Sequence, residues 1–207
     1  FGQGYIYRLV EEDEIADVEQ LTEDEKLNGI DKNKKFYVPY DKGDKDGNRW
    51  YLETPFAIAW SKENVGFLKA DPKARYQGYM YYFREGFCYS DINTTFLKCR
   101  VKLKTINDVK SMSLYSLTNK VPAYFIVCLI NSTFVSFYVD DFVNNTQTFQ
   151  INDARQLPIF IPDENTLKQF KNLFDSAIDI KKANLNNELS NIDSEKKLSE
   201  IQEELDL

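Results

Sequence analysis

The chain has 207 residues, no histidine, 26 basic and 33 acidic side chains, and a formal net charge of −7. The absence of histidine excludes Ser-His-Asp and Cys-His catalysis and the histidine-containing zinc sites. The length suits one domain with an appendage. Three unevenly spaced cysteines, Cys88, Cys99 and Cys128, are typical of reduced thiols in a cytoplasmic protein, and no apolar run reaches the length of a membrane span.

The charges are unevenly distributed along the chain. Residues 1–31 contain 2 basic and 10 acidic side chains, a net charge of −8, whereas residues 32–110 contain 16 and 9, a net charge of +7. A basic block inside an acidic chain is compatible with one surface that faces phosphates. The alternative is a solvated surface with uneven charge, and the charges alone do not decide between the two.

Several stretches have the composition or alternation of strands. They are Phe1–Val10, Lys35–Tyr40, Arg49–Leu52, Phe56–Trp60, Phe87–Ser90, Thr94–Val101 and Ile159–Ile161. The second and third flank a polar turn with two glycines, which predicts a hairpin. Aspartates alternate in this turn, but the spacing lacks the bidentate glutamate of an EF-hand, so we do not expect a calcium site.

The aromatic run Tyr76–Arg84 contains four tyrosines. Such a run can stack on unpaired bases. It is more typical of a sheet with one buried face, in which the tyrosine hydroxyl groups at the edge contact water, and this is the interpretation we favour.

A basic stripe follows the aromatic run. Lys98, Arg100, Lys102 and Lys104 alternate, so a strand places them on one face. This stripe is a candidate for contacts with backbone phosphates, and the alternative is a strand that faces solvent.

Capping residues and apolar spacing predict the helices. Thr22 and Glu25 form a capping box in the acidic N-terminal segment. Pro122 begins a helix over Ala123–Phe142, which is apolar on nearly every face and is therefore expected to be buried. Asp163 caps a further helix, whose apolar spacing continues almost to the last residue with a break near Ser190–Ser194.

The stretch Asn144–Pro162 joins the two helical regions. It predicts a polar loop, a strand through Phe149 and Ile151, a capped turn, and a short buried strand that ends at Pro162. We expect the tail from about Asn184 to lie outside the domain core and to contact the rest of a longer enzyme. The start at Phe1 also leads us to expect a fragment of a longer protein.

Motifs in this region resemble those of a known class of DNA-binding domain. The motifs are Leu129-Ile130-Asn131-Ser132, Phe149-Gln150-Ile151-Asn152-Asp153 and Leu157-Pro158-Ile159. They are similar to the "leucine-asparagine-serine" helix and the "Phe-Gln … Leu-Pro-Ile" segment of TaqI-like C-terminal specificity domains. These are the DNA target recognition domains of bacterial adenine-N6 methyltransferases, as in type IIG restriction–modification enzymes and BREX-type methyltransferases.

Two further blocks agree with this resemblance and bring its extent to roughly residues 42–162. Lys42-Gly43, Arg49-Trp50-Tyr51 and Ala59-Trp60 resemble the Lys-Gly … Lys/Arg-Trp-Tyr … Asn-Trp block of the family. Residues 85–92 resemble its Glu-Gly-Ile-Thr-Trp-Ser-x-Ile block, with Cys88-Tyr89 in place of Thr-Trp.

The predicted elements indicate an α+β fold with a mixed, largely antiparallel sheet, one buried helix and a helical C-terminal tail. We expect a DNA target recognition domain over residues 1–165 and a C-terminal helical segment over residues 166–207. The resemblance implies that the chain binds double-stranded DNA and directs methylation of a target adenine. An upstream methyltransferase domain of the same chain would bind S-adenosylmethionine and flip the adenine, and an endonuclease is an optional addition.

The chain lacks the Gly-x-Gly-x-x-Gly, Walker and Asn-Pro-Pro-Tyr motifs. We therefore expect this fragment to have no activity, cofactor or metal of its own. The rival interpretation is a module that docks a partner subunit through its aromatic sheet and C-terminal helices. Salt distinguishes the two, because DNA affinity falls steeply with ionic strength and the affinity of an apolar interface does not.

We expect base and phosphate contacts from three polar turns and from the basic stripe. The residues are Lys42, Lys45, Asn48 and Arg49; Tyr89, Ser90 and Asn93; Asn144, Asn145, Thr146 and Gln147; and Lys98, Arg100 and Lys102. Arginine and lysine can donate to guanine, and asparagine and glutamine can pair with adenine. The alternative for the asparagines is a role in backbone geometry.

Overall fold

The computed structural model of the chain describes residues 7–42, 47–53, 55–74, 76, 78–90, 96–108, 111–118, 120–146 and 148–207. These residues form an α+β fold with helices at the C-terminal end, which confirms the predicted fold class. The predicted contact residues Lys45, Asn93 and Gln147 lie outside the described residues.

The described strands form two sheets where one was predicted. The strands are β1 (Tyr7–Leu9), β2 (Tyr37–Asp41), β3 (Phe56–Ala59), β4 (Gly86–Ser90), β5 (Cys99–Lys102), β6 (Ile106–Asn107) and β7 (Ser111–Leu114). The first sheet has the order β1-β3-β2-β6, in which β2 and β6 are parallel and the other pairs are antiparallel. The second has the order β5-β4-β7, in which β4 and β7 are antiparallel.

The helices lie mainly in the second half of the chain. The α-helices are α1 (Glu23–Asn28), α2 (Lys62–Ala70), α3 (Ala123–Asn131), α4 (Thr133–Tyr138), α5 (Ile151–Ala154), α6 (Glu164–Leu185) and α7 (Asn191–Leu205). Short 3-10 helices lie at Glu12–Glu14, Val18–Gln20 and Tyr79–Tyr81, and a π-helical turn at Val139–Val143 follows α4. The predicted capping box of Thr22 and Glu25 and the predicted cap at Asp163 are both confirmed.

The chain divides into two compact units. Taking the described residues in each range, unit 1 comprises Phe1–Lys42, Glu53–Glu85 and Lys102–Val109. Unit 2 comprises Gly43–Leu52, Gly86–Val101 and Lys110–Leu207. The predicted division at residue 165 does not coincide with this partition, because residues 166–207 belong to the same unit as the segment before them.

Trp60 lies at the centre of unit 1. Its side chain is fully buried, and its ring stacks on Tyr76 and meets Tyr82 and Phe83 edge-on, with centroid distances of 5.8–6.2 Å. Its Nε1 donates to carbonyls near the end of α1. The aromatic run that was predicted to form a sheet therefore supplies core contacts, and part of it is the 3-10 helix at Tyr79–Tyr81.

The acidic and basic segments of unit 1 form ion pairs with each other. Four pairs link acids of residues 11–31 to basic side chains at 2.7–2.9 Å, namely Arg8–Glu14, Lys34–Glu25, Lys62–Asp31 and Lys104–Glu19. Exposed pairs of this kind contribute little to stability individually. Three of the pairs, those of Lys34, Lys62 and Lys104, join the acidic segment to the basic block of residues 32–110, so they neutralise part of the charge separation seen along the sequence.

Helix α3 is the buried helix of unit 2, and six of its nine residues are buried. The predicted continuous helix over Ala123–Phe142 is wrong. Ser132 has an extended backbone (ψ 148°), and its hydroxyl accepts the N–H of Val135 as the N-cap of α4. The polar side chain thus starts a new helix, and the segments on either side of it are bent by 67°.

Two predicted strands are absent from the described part of unit 2. Residues 151–154 form α5 instead of extending a strand, and Ile159–Ile161 has no strand partner and is exposed at 44%, 82% and 62% in order. The predicted hairpin between Lys35–Tyr40 and Arg49–Leu52 does not form, because β2 pairs with β3 and β6. Of Arg49–Leu52, Trp50 forms one parallel bridge, with Arg100.

The C-terminal helices pack within unit 2, and for α7 this contradicts the expectation that the tail from about Asn184 lies outside the core. Ala177 and Ile178 of α6 and Ile201 of α7 are buried. Asp206 accepts hydrogen bonds from the backbone N–H and the hydroxyl of Thr133 at 2.8 and 2.7 Å. The tail therefore contributes to the stability of the unit.

A matched pair of substitutions in α7 tests this packing. We expect Ile201→Ala to lower the free energy of unfolding by about 2–5 kcal/mol, because it leaves a cavity at a buried site. Ile192→Ala, in the same helix but 80% exposed, should change it by less than about 0.5 kcal/mol. Urea denaturation followed by circular dichroism measures both, and equal stabilities would show that α7 is not part of the folded core.

Candidate nucleic-acid interface

The predicted contact residues divide between the two units. Lys42 and Lys102 belong to unit 1, and the other described ones belong to unit 2. For Ser90 the structure describes only the backbone. Apart from Lys42, the described members of the three turns therefore belong to one unit, unit 2.

In unit 1, both predicted lysines have partners inside the unit. Lys42 donates to the hydroxyl of Tyr7 at 2.7 Å and lies 4.5 Å from the centroid of its ring. Lys102 is 1% exposed, and its ammonium donates to the carbonyls of Leu103 and Thr105 at 2.9 and 3.1 Å. An ammonium held by carbonyl oxygens inside the unit is not placed to meet a phosphate.

The basic stripe expected along β5 does not form an open face, so this expectation is wrong. Arg100 is 2% exposed and the adjacent Cys99 is fully buried, so the strand is covered on both sides. Lys104 pairs with Glu19. Of the stripe in unit 2, only the half-buried Lys98 reaches the surface, where its side chain lies against Gly47.

Arg49 supports the fold of unit 2. Its guanidinium donates to the side-chain and backbone oxygens of Asn131 and to the side-chain oxygen of Gln202. Burial lowers the pKa of this guanidinium, and the nearby Asp206 acts in the opposite direction. Its Nε and one terminal nitrogen are therefore engaged in the fold of unit 2.

Asn131, from the Leu-Ile-Asn-Ser motif, connects α3 to β5. Its amide nitrogen donates to the carbonyl of Cys99 at 2.8 Å, and its amide oxygen accepts the N–H of the same residue at 2.8 Å. Both groups are buried, so this single side chain satisfies two backbone groups that water cannot reach. The motif therefore has a structural role that the sequence analysis did not assign.

A cleft of about 620 Å³ lies beside Arg49 in unit 2. It is lined by Gly47, Asn48, Arg49, Trp50, Lys181, Glu195, Leu198, Ser199, Gln202 and Glu203. Asn48 accepts a hydrogen bond from Lys181 at 3.1 Å. The lining has charges of both signs, so the cleft does not favour a phosphate on electrostatic grounds.

Tyr89 is a core residue of unit 2. It is 1% exposed, and its ring lies 4.9 Å from that of Phe149. Burial raises the pKa of its phenol. Its hydroxyl has no hydrogen-bond partner among the described atoms. Tyr89 therefore packs β4 against Phe149, which joins two of the motif blocks.

The turn after the π-helical segment is built by Asn144. Its amide donates to the carbonyl of Thr148 at 2.8 Å and to the carboxylate of Asp153 at 3.0 Å, and its oxygen accepts the N–H of Thr146 at 2.9 Å. Asn144 thus has the geometric role that asparagine commonly has in turns. Its neighbours Asn145 and Thr146 are exposed.

These contacts bring the turn next to α5 and create a set of exposed polar side chains. We call it the polar segment, and it consists of Asn145, Thr146, Gln150, Asn152, Arg155 and Gln156. Arg155 donates to the side chain of Asn152 at 3.2 Å. The segment combines amide groups with a guanidinium, which are the groups that read adenine and guanine edges.

The sequence analysis did not select the α5 part of the polar segment as a contact region. Asn152 was interpreted as a cap, and Arg155 and Gln156 as a turn. The usable signal was the series of amide and arginine side chains after Phe149, in which the only apolar residues are Ile151 and Ala154. Helical spacing over 151–156 would have placed them on the exposed side of a short helix.

The described residues contain no group of three or more histidine, cysteine, aspartate or glutamate side chains placed to hold a metal ion. All three cysteines are buried, and burial raises the pKa of Cys128 to about 12. Such thiols are poor nucleophiles and poor ligands.

Within the described ranges, no single helix has both the length and the apolar composition that crossing a membrane requires. The segments Ala123–Asn131 and Thr133–Val143 meet that test only as a bent pair.

Comparisons with known proteins do not place the chain in a family. No protein-family model matches it, and no curated protein matches it. The resemblance to DNA specificity domains therefore rests on the motifs themselves.

Asn131→Ala tests the structural role of the motif asparagine. We expect the free energy of unfolding to fall by about 2–5 kcal/mol, because the buried N–H and C=O of Cys99 each lose a partner. Asn145→Ala, in the exposed turn, should stay within about 0.5 kcal/mol of the parent chain. Chemical denaturation measures both, and an Asn131 variant as stable as the Asn145 variant would contradict the role.

Tyr89→Phe tests whether the phenol has a function. The hydroxyl has no described partner, so its removal should leave stability unchanged or raise it by about 1 kcal/mol. Tyr40→Phe is the matched control, because Tyr40 donates to Asp108 at 2.7 Å and its loss should cost about 1–3 kcal/mol. A Tyr89→Phe variant that is less stable than the Tyr40→Phe variant would show a partner for the Tyr89 hydroxyl.

Proposed function

We propose that the chain is the sequence-specific DNA recognition domain of an adenine-N6 DNA methyltransferase or restriction–modification enzyme, acting in the cytoplasm. In this proposal the chain binds double-stranded DNA, and a catalytic domain elsewhere in a longer protein binds S-adenosylmethionine and methylates the adenine. The chain itself supplies recognition and no chemistry.

The observation that carries the proposal is the meeting of separate motif blocks inside unit 2. Arg49, from the block that runs from Lys42 to Trp60 and is first along the chain, contacts Asn131, which lies 82 residues further along. The ring of Tyr89, from the block at residues 85–92, lies 4.9 Å from that of Phe149, from the Phe-Gln-Ile-Asn-Asp motif. Motifs of one domain are expected to be neighbours in space, whereas chance matches along a sequence are not. Trp60, which ends the first block, lies in the core of unit 1.

The polar segment supports the proposal by its chemistry. The amides of Asn145, Gln150 and Asn152 can pair with the N6 and N7 atoms of adenine, and Arg155 can donate to the O6 and N7 atoms of guanine. The segment rests on a turn held by Asn144 and on the buried Phe149. Side chains on such a support can differ between related sites without unfolding the domain.

The distribution of charge predicts a modest electrostatic contribution to binding. Four of the cations of unit 1, namely Arg8, Lys34, Lys62 and Lys104, are engaged in ion pairs with residues 11–31. If two or three phosphates are neutralised, the logarithm of the affinity should fall with the logarithm of salt concentration with a slope of roughly −2 to −3. Sequence preference should then depend more on base contacts than on charge.

The test is selection of binding sites by the 207-residue chain from a pool of random duplexes, followed by titration of the enriched duplex. We expect an enriched motif and an affinity that falls with salt. Arg155→Ala should weaken binding to the enriched duplex by about 1–3 kcal/mol and relax the preference at one position. Lys168→Ala is the matched control, because Lys168 is also an exposed cation of unit 2 but lies on α6.

Two outcomes would contradict the proposal. The first is the absence of any enriched motif together with an affinity that does not depend on salt, which would favour a protein-docking module. The second is an equal loss of binding in the Arg155 and Lys168 variants with the preference intact, which would show general attraction without base reading. Asn152→Ala and Gln169→Ala repeat the comparison without a change of charge, since both residues are exposed.

A further inference from the structure

Unit 2 has a group of aromatic side chains that consists of four exposed phenylalanines and the half-buried Tyr138, and all but Phe96 lie on α4 and the π-helical turn. We call it the aromatic face, and it consists of Phe96, Phe134, Phe137, Tyr138 and Phe142. The four phenylalanines are exposed at 43%, 66%, 59% and 77%, in chain order. Single exposed apolar residues are common on protein surfaces, whereas a contiguous group marks an interaction site.

The rings of the aromatic face touch one another. Phe134 stacks on Tyr138 at 6.3 Å, and Tyr138 lies 5.5 Å from Phe142. Phe137 meets Phe96 edge-on at 6.3 Å. Because residues three and four apart share a side of a helix, the two groups adjoin on one surface.

The aromatic face is not required to bury α4. The opposite side of this helical segment already supplies Val135, Ser136 and Val139 to the interior of unit 2. Taking roughly 200 Å² for each phenylalanine side chain, the exposed part of the four rings is on the order of 500 Å². This is a large fraction of the roughly 800 Å² that each partner buries in a standard protein interface.

The charged side chains on α4 and the π-helical turn are acidic. Asp140 and Asp141 are exposed on the π-helical turn, and neither forms an ion pair within the part of the chain that the structure describes. The sequence has no lysine or arginine from Val121 to Ala154. A partner must therefore offer apolar side chains next to cations, as a basic amphipathic helix does.

The same charges disfavour other occupants. Nucleic acid and anionic lipid would be repelled by the two aspartates. A second copy of the chain, docked symmetrically, would place the two acidic pairs near each other. Of these candidates, only a basic amphipathic partner forms favourable contacts with both the exposed phenylalanine rings and the two aspartates.

We propose that the aromatic face docks a basic amphipathic helix of another protein or protein domain. Phe134, Phe137 and Phe142 contact its apolar side, and Asp140 and Asp141 pair with its lysine or arginine residues. This docking is independent of the DNA-binding role proposed above, because it uses a separate, acidic surface.

The experiment uses the 207-residue chain and two labelled 18-residue probe peptides. One has leucine on one helical face and lysine on the other, and the second has glutamate in place of each lysine. We expect saturable binding of the leucine–lysine peptide by fluorescence anisotropy, weakened by salt, and at least about tenfold weaker binding of the leucine–glutamate peptide. Circular dichroism should show that the lysine peptide becomes helical on binding.

Substitutions on the aromatic face connect binding to this surface. Phe137→Ala and Phe142→Ala should each weaken binding of the lysine peptide about tenfold or more, with thermal unfolding unchanged because both side chains are exposed. Phe67→Ala is the matched control, since Phe67 is 55% exposed but lies on α2 of unit 1. It should not affect peptide binding.

Neutralising the acids tests the charge preference. Asp140→Asn combined with Asp141→Asn should weaken binding of the lysine peptide about threefold to tenfold and reduce its salt dependence. Glu12→Gln combined with Asp13→Asn is the matched control, because these adjacent acids are exposed in unit 1. This control pair should bind the lysine peptide as the parent chain does.

Several results would overturn the proposal. They are no saturable binding of the lysine peptide, equal binding of both peptides, or equal effects of Phe142→Ala and Phe67→Ala. Sedimentation showing a dimer that Phe142→Ala dissolves would assign the face to a second copy. Loss of binding to phosphatidylcholine vesicles or to a duplex DNA in the Phe142 variant, without an effect on the peptide, would assign it to those partners.

Discussion

The hydrogen bonds between Asn131 and Cys99 are the constraint on which unit 2 depends. Strand β5 is at the edge of its sheet, so the outer N–H and C=O groups of Cys99 need partners that are not strands. Asn131 supplies both, and the carbonyl of Cys99 also accepts the N–H of Trp50 at 2.9 Å. Trp50 has a left-handed backbone (φ 71°), which is unfavourable for a bulky residue and is maintained here by its bonds to β5. Arg49 then ties Asn131 to α7.

The side chains that hold unit 2 together are different from the exposed side chains that are proposed to contact bases. Arg49 and Asn131, a charged and an amide side chain of the motifs, both form hydrogen bonds within unit 2, Arg49 beside the cleft and Asn131 in the interior. A group that holds the backbone together cannot change with the DNA site without loss of stability. Specificity, if the chain reads DNA, then belongs to side chains such as Asn152 and Arg155 that are exposed and dispensable for folding. The buried motif residues determine where those side chains are placed.

Local signals predicted the helix caps, and both local and non-local contacts account for what the sequence analysis missed. The capping box at Thr22 and the cap at Asp163 involve residues three apart and were predicted correctly. Alternation predicted that Arg100 and Lys102 share a face, but it contains no information on whether that face is covered, and both are buried. The break at Ser132 follows from one hydroxyl that outcompetes helix continuation, which apolar periodicity does not reveal. Pairing of distant segments determines the division of the strands into two sheets.

The polar segment and the aromatic face adjoin along the chain but differ in charge. The run from Val121 to Ala154 has no cation, so the aromatic face and its two aspartates present a negative potential, and the first cation after it, Arg155, lies at the end of α5. A phosphate backbone approaching the aspartates is repelled, whereas the guanidinium of Arg155 attracts it. If both surfaces are used, the charge difference directs a nucleic acid toward α5 and leaves the aromatic face to a protein partner. The order of residues in one short stretch would then keep the two ligands apart without any conformational change.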